Sequence, residues 1–309
     1  MKKLYLYCSM VSLFFIFGIS LAEAKPPIKS PFSLVLRGGL SSIFVGDPNT
    51  TLGSFNAMFD HFRETNPDII KGKISKVPSA QLGGEVELQW AVGKFSLGLA
   101  VSAPARLHQK SSLTYIIDDY AGIQINEYIY DVEVRTSATP ILSLYYSSRL
   151  ASTLDYFING GIRHYDASLT FDTETNIQPV IGETVNAERF IISRGSSLGY
   201  HVGIGLEYRL SARTAFLVDG QWRLCRIRAL RGTELAIAYS NGTELYRAVK
   251  EGNLYHLNVE DPYTGFRRDD LIVAAAPPEG GIYFPDDIRE AVLDLGGLTC
   301  RIGFRISLF

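Results

Sequence analysis

Strict alternation of apolar and polar residues, repeated in eight segments of the chain, is the feature that most constrains its fold. In segment 197–210, the apolar residues Leu198, Tyr200 and Val202 alternate with polar or small residues. This period of two is typical of a β-strand with one apolar face. The other segments are 32–44, 81–92, 95–110, 128–146, 154–171, 215–231 and 294–309. In segment 154–171 the apolar phase changes near His164, which predicts a β-bulge there.

The segments are 12 to 19 residues long. Strands of soluble proteins usually have about 3–10 residues, and a tilted strand crosses a bilayer with about 9–11. Each segment is therefore long enough to cross a membrane. A soluble β-sandwich or a secreted barrel is the alternative that such alternation also allows.

The connections between the segments alternate between short and long. The short ones are Gly93-Lys94, 147–153 and 211–213, and the long ones are 45–80, 111–127, 172–196 and 232–293. This asymmetry is typical of outer-membrane barrels, which have tight periplasmic turns and long extracellular loops. We therefore predict a transmembrane antiparallel up-and-down β-barrel with eight strands. Ser240-Asn241-Gly242 predicts a hairpin within the last loop, and the barrel would have ten strands if that hairpin crossed the membrane.

The N-terminus has the three parts of a secretory signal. Lys2 and Lys3 precede an apolar stretch over 4–21, which ends at Ala22-Glu23-Ala24. We predict that residues 1–24 are a cleaved signal peptide. Residues 25–309 then form a single barrel domain in the outer membrane of a Gram-negative-type bacterium, with extracellular loop insertions at 45–80 and 232–293.

The last segment ends in an amphipathic pattern with a terminal aromatic residue: Phe304, Ile306, Leu308 and Phe309. This ending looks like the assembly signal of bacterial outer-membrane proteins. In architecture the chain resembles the small outer-membrane barrels of the OmpX and OmpW type and the transmembrane domain of OmpA. The resemblance implies that its partners are outer-membrane lipid and the barrel-assembly machinery.

The polar face of the segments would line the barrel lumen. Its charged members are seven acids and eight arginines: Arg37, Glu85, Glu87, Arg106, Asp131, Glu133, Arg135, Asp155, Arg163, Glu207, Arg209, Asp219, Arg223, Arg301 and Arg305. An eight-stranded barrel has just enough interior for side chains to fill it. We therefore predict that these charges pair and plug the lumen, because the planar guanidinium matches a carboxylate. The alternative is that they line an ion pathway.

Several functions find little support in the sequence. The formal net charge is −2 and no basic run is present, which argues against nucleic-acid binding. No close His/Cys pair occurs and no nucleophile, base and acid can be named as a set, so we predict no catalytic residues, no metal site and no cofactor. The protein is not expected to be an enzyme.

The long loops are the remaining candidates for function. The spacing of Phe55, Met58, Phe59 and Phe62 predicts a short amphipathic helix over 54–64. An extracellular ligand or protein partner at 45–80 and 232–293 would make this a structural or surface-interaction protein. The alternative is a narrow porin-like channel or carrier for small or apolar solutes.

Overall fold

The computed structural model describes residues 31–65, 69–119, 122–179, 182–260, 267–278 and 288–308. The predicted signal peptide 1–24 and Phe309 lie outside these residues. The described elements are the helix α1 (Asp47–Thr65) and the strands β1 (Phe32–Ser42), β2 (Val45–Gly46), β3 (Ile70–Gly72), β4 (Ala80–Val92), β5 (Phe95–Ser102), β6 (Ala105–Asp119), β7 (Gly122–Thr136), β8 (Thr139–Arg149), β9 (Leu154–Gln178), β10 (Val185–Arg209), β11 (Thr214–Leu224), β12 (Arg226–Ile227), β13 (Arg231–Ser240), β14 (Thr243–Glu260), β15 (Arg267–Ala274), β16 (Arg289–Glu290), β17 (Leu293–Asp294) and β18 (Gly297–Ser307).

Antiparallel pairings link part of these strands into a ring. β1 pairs with β18 and β4, β4 with β5, and β5 with β8. β8 pairs with β9, β9 with β10, β10 with β11, and β11 with β18, which returns to the start. The prediction of a predominantly antiparallel β-architecture is confirmed. The ring places alternate side chains on its interior and on its outer surface.

The same sheet continues beyond one end of the ring, and we call this continuation the extension. β9 and β10 are each 25 residues long and continue beyond it. The far part of β9 pairs with β7, and β7 pairs with β6. The far part of β10 pairs with β13, followed by β14 and β15. The described parts of the predicted connections 111–127, 172–196 and 232–293 thus consist largely of strands, whereas 45–80 contains mainly α1.

Apolar residues change faces where β9 passes from the ring into the extension. Within the ring, Ile158 and Ile162 are exposed on the outer face. In the extension, Leu169 and Phe171 are buried on the inner face. The β9–β10 ladder runs without a register shift from Leu154↔Tyr208 to Ile177↔Val185, so the predicted bulge at His164 is wrong. The change of phase in the sequence instead reflects a change in which face is covered.

Two predicted segments were too long. Segment 95–110 is interrupted at 103–104 and segment 128–146 at 137–138, and the hairpin β6–β7 between them leaves the ring. Pro104 explains the first interruption, because proline has no N–H to donate to a ladder. The charged residues of this hairpin therefore lie in the extension and not in the ring.

The extension has its own hydrophobic core, and α1 packs into it. Leu52, Phe55, Met58 and Phe59 of the helix are all buried. α1 is longer than the predicted helix over 54–64, and it begins at Asp47-Pro48, a favourable helix start. None of the described helices is long and apolar enough to cross a membrane.

The predicted hairpin around Asn241-Gly242 is confirmed. Ser240 pairs with Thr243, and both turn residues have positive φ angles, 48° for Asn241 and 78° for Gly242. This is the geometry of a type I′ turn. The hairpin formed by β13 and β14 belongs to the extension, because β13 pairs with the far part of β10.

Replacing Phe55 by alanine should unfold the extension selectively. Phe55 is 2% exposed and its ring packs on Phe59, Tyr128 and Tyr130. The cavity left by Phe55→Ala should destabilise the extension by about 3–5 kcal/mol. The readout is the rate of limited proteolysis in the extension. The matched control is Phe44→Ala, since Phe44 is 53% exposed; equal effects at both positions would contradict a packed core.

Candidate functional site

Several ion pairs lie in the middle of the ring interior. Arg37 contacts Glu85 at 3.2 Å, Asp219 at 3.3 Å and also Glu87. Arg301 contacts Asp219 at 2.7 Å and Glu85 at 3.0 Å. We call these five residues the central cluster. Their side chains are at most 8% exposed.

Strand register explains why these charges meet. Arg37 on β1 lies opposite Glu85 on β4, and Asp219 on β11 lies opposite Arg301 on β18. Their strands are neighbours in the ring, and each residue has the parity that points inward. Three carboxylates therefore face two guanidinium groups, and the central cluster has one negative charge in excess.

Neutral side chains complete the hydrogen bonding of Glu87. The Tyr145 hydroxyl and the Gln89 amide each donate to its carboxylate at 3.0 Å. A side chain at Gly98 would collide with the same carboxylate, so this position needs glycine. Sequence analysis did not identify Tyr145. It could have done so, because Tyr145 precedes the outward-pointing Tyr146 and successive side chains of a strand point to opposite faces.

A lower cluster lies nearer the short turns. Arg209 pairs with Asp155, and Arg305 pairs with Glu207 at 2.6 Å. Arg305 also donates to Gln89 at 2.7 Å. Between the lower and central clusters the interior is filled by the buried side chains of Val35, Tyr145, Phe157 and Leu217.

An upper cluster lies next to the extension and contains Arg163, Arg223 and His201. The His201 ring nitrogen Nε2 lies 3.1 Å from the Ser143 hydroxyl. Arg163 lies over the Tyr165 ring at 5.3 Å, and Arg223 donates to the Ser42 carbonyl at 3.0 Å. Neither arginine forms an ion pair with a carboxylate of the described residues.

Four of the predicted lumen residues are not in the lumen. Arg106, Asp131, Glu133 and Arg135 lie on β6 and β7 of the extension. Glu133 binds both Arg106 and Arg135, whose side chains are 62% and 58% exposed. Their assignment to the lumen was wrong because the hairpin leaves the ring at Pro104.

The residues of the predicted assembly signal lie on the outer face. Phe304 is 50%, Ile306 39% and Leu308 41% exposed. Phe304 and Ile306 belong to β18, the last strand of the ring, and Leu308 follows it directly. Phe309 lies outside the described residues.

The extension contains a cleft of about 490 Å³ in which the two long predicted loops meet. Range 45–80 contributes Thr51 and Phe55, and range 232–293 contributes Tyr246, Arg268 and Asp270. The guanidinium of Arg268 lies over the Phe55 ring at 5.8 Å.

The strands between the two loops supply the floor of this cleft. Arg189 pairs with Glu234 and Asp270, each at 2.9 Å. Burial opposes its charge, but the two carboxylates raise the pKa of Arg189 above its usual value. Burial also raises the pKa of Tyr130 in the same cleft. Aromatic faces and fixed charges thus line one concave surface.

No group of three or more His, Cys, Asp or Glu residues with the geometry of a metal site occurs in the described part of the chain.

Neutralising one arginine of the central cluster should destabilise the protein more than neutralising one acid. Arg37→Met leaves three carboxylates with one arginine and should lower the free energy of unfolding by about 3–5 kcal/mol. Asp219→Asn leaves two charges of each sign and should lower it less. Denaturant titration followed by the fluorescence of Trp90 and Trp222 measures both. The control is Arg247→Met in the exposed Arg247–Glu244 pair, which should change nothing measurable; the reverse order of Arg37→Met and Asp219→Asn would contradict the charge count.

Comparisons with known proteins identify no family. No family model and no curated protein matches the chain. Among solved structures, a major outer membrane protein from Thermus thermophilus is similar, with 12% identity and a TM-score of 0.34 over 89% of this chain and 98% of that one. OccK11 (OpdR) from Pseudomonas aeruginosa has 8% identity and a TM-score of 0.11 over 93% of this chain and 100% of that one. At this level of similarity, the function has to be inferred from the chain's own geometry.

Proposed function

We propose that the chain is an integral outer-membrane protein of a Gram-negative-type bacterium. In this proposal the ring is a closed transmembrane barrel of eight strands with a plugged lumen, and the extension is extracellular. The protein acts as a structural or surface-interaction protein through the extension. The observation that carries the proposal is that apolar residues lie on the outer face of the ring but on the inner face of the extension.

The outer face of the ring supports a lipid environment. Around it, large apolar side chains are about half exposed on successive strands, including Leu88, Leu99, Leu144, Ile158, Ile204 and Ile302. A continuous apolar band of this size is not expected on a surface that faces water. The ring also pairs each of its strands on both sides, and lipid requires this because it cannot satisfy free backbone groups.

The extension supports an aqueous environment at the other end. Its largest cluster of buried apolar residues is packed inward around α1, as in a soluble domain. The cleft where ranges 45–80 and 232–293 meet offers Tyr128, Tyr130 and Arg268 to a ligand or protein partner. In the membrane, Phe304, Ile306 and Leu308 on the outer face would contact lipid and, during insertion, the barrel-assembly machinery.

A charge on the outer face of the ring tests the membrane assignment. Ile204 lies midway along the ring and is 63% exposed, so Ile204→Arg should cost about 2–4 kcal/mol in a bilayer. Thr170→Arg, on the outer face of β9 in the extension, should change stability by less than about 0.5 kcal/mol. Denaturant titration in lipid vesicles measures both, with the gel mobility of unboiled against boiled samples reporting folding. Equal tolerance of the two arginines, or full solubility without detergent, would contradict the proposal.

Conductance distinguishes a plugged lumen from the channel alternative. Folded wild-type protein in a planar bilayer should be silent, because ion pairs and Phe157 fill the interior. The double variant Tyr145→Ala, Phe157→Ala removes two rings packed at 5.9 Å and should produce steps. Steady steps from the wild-type protein would instead favour a narrow channel or carrier for small or apolar solutes.

A further inference from the structure

The ring wall has an opening beside the upper cluster. β4 pairs with β5 up to Glu85↔Ser102, and the Ala103 amide donates to the Gly84 carbonyl at 2.8 Å. Beyond that point β4 continues along β1 as far as Ala80↔Ser42, whereas the chain after Ala103 turns away at Pro104 into the β6–β7 hairpin. Between ranges 80–82 and 104–108 lies a space of about 530 Å³, which we call the wall opening.

A cavity of about 50 Å³ lies directly behind the wall opening. Gln81 and Ala105 line both spaces, so the two are adjacent. The cavity has room for a few water molecules or for one small oxyanion. Gly83 faces it, and a side chain there would meet no atom within 4 Å.

The charges around the cavity are unbalanced. Arg37, Arg163, Arg223 and Arg301 line it, but Glu85 is the carboxylate among its described lining residues. Glu85 is bound by Arg37 and Arg301 of the central cluster. Among the described residues, Arg163 and Arg223 are therefore the arginines around the cavity that no carboxylate contacts directly.

Both of these arginines are more than nine-tenths buried. Arg163 is 8% and Arg223 is 6% exposed, and the Nε atom of each has no hydrogen-bond partner. The buried hydroxyl of Tyr165 also lines the cavity and lies beside the Arg223 guanidinium. Burying unpaired cations and donors is costly unless a ligand satisfies them.

The wall opening lies at the upper edge of the exposed apolar band. Leu82, at its border, is 82% exposed, and Leu224 and Leu298 are 58% and 46% exposed on neighbouring parts of the ring. Under the proposed function, this level is the boundary between the outer leaflet and the extracellular side. The head group of an amphiphile is found at this depth.

We propose that the cavity behind the wall opening binds an oxyanion, a carboxylate or phosphate group, through Arg163, Arg223 and Tyr165. The group enters by the wall opening, which leaves space for the chain of an amphiphile to remain in the lipid. The inference rests on the proposed membrane location for the source of the ligand. The site itself depends only on the cavity and its unpaired donors.

Binding of two probes to the full-length protein in non-ionic detergent tests the site. Titration calorimetry with dodecyl phosphate should give saturable binding, and the same titration with inorganic phosphate shows whether the chain of the amphiphile is needed. Comparable affinities would assign the site to soluble oxyanions, and much tighter binding of dodecyl phosphate would assign it to a membrane amphiphile. If folded wild-type protein binds neither probe, the proposal is overturned.

Variants locate the binding. Arg163→Gln and Arg223→Gln should each weaken binding about tenfold to a hundredfold, as expected for loss of a charged hydrogen bond. They should not impair folding, because neither arginine has a carboxylate partner among the described residues. The control Arg213→Gln makes the same charge change in an exposed turn at the far end of the ring and should bind normally.

A second pair of variants tests the cavity without removing charge. Gly83→Leu fills it, whereas Gly220→Leu adds the same side chain on the outer face, also with no atom within 4 Å of its Cβ. We expect binding to be lost in Gly83→Leu and kept in Gly220→Leu. Wild-type affinity in both arginine variants, or in Gly83→Leu, would overturn the proposal. Failure of the wild-type gel shift would count against the barrel and not against the site.

Discussion

The uninterrupted antiparallel ladder between β9 and β10 holds the two halves of the molecule together. It begins at Leu154↔Tyr208 inside the ring and ends at Ile177↔Val185 in the extension, with no change of register. In each of these strands, every second side chain therefore points to the same side along the whole strand, although the surroundings differ between the ring and the extension. The apolar face is the outer one in the ring and the inner one in the extension. This is possible only because the inward-pointing residues change from polar to apolar along the strand. In β9 this change falls between Arg163 and Tyr165.

The ring interior is organised by the same alternation. Inward positions are occupied by arginines and carboxylates from neighbouring strands, and their charges come close to balance in the lower and central clusters. Buried ion pairs contribute little net stability compared with apolar packing, but removing one partner is costly. The interior is thus intolerant of single substitutions. The upper cluster differs because its cations face a cavity, and this difference separates the part of the interior that fills space from the part that can bind.

The sequence predicted the elements whose environment does not change along the strand. Alternation located β4, β11 and β18, and it placed Arg37, Glu85 and Asp219 on the same face of their strands, which are neighbours in the ring. Alternation failed at the border between ring and extension. The alternation pattern does not indicate which face of a strand is buried. The change of buried face near His164 was therefore interpreted as a β-bulge. Arg106 and Arg135 were placed in the lumen for the same reason.

Other features depend on contacts that periodicity does not encode. The wall opening depends on Pro104 and on where β5 stops pairing with β4. The cleft in the extension depends on the packing of α1 against strands that are distant in sequence. The missing counter-ions of Arg163 and Arg223 could not be predicted either, because counting charges by parity gave a nearly balanced set. These two arginines differ from the paired ones in their position along the ring axis, which places them away from the acids.

The excursion of the β6–β7 hairpin begins and ends at residues that are already neighbours. Ser102 and Thr139 pair directly across β5 and β8, so the ring does not depend on what is inserted between them. The hairpin leaves the ring at this one junction, and its other contacts, including the pairing of β7 with the far part of β9, belong to the extension. Related chains could lengthen, shorten or exchange it without altering the register of any ring strand. The same replacement would change the width of the wall opening at Pro104. The surface of the extension and the access to the ring interior would therefore vary together.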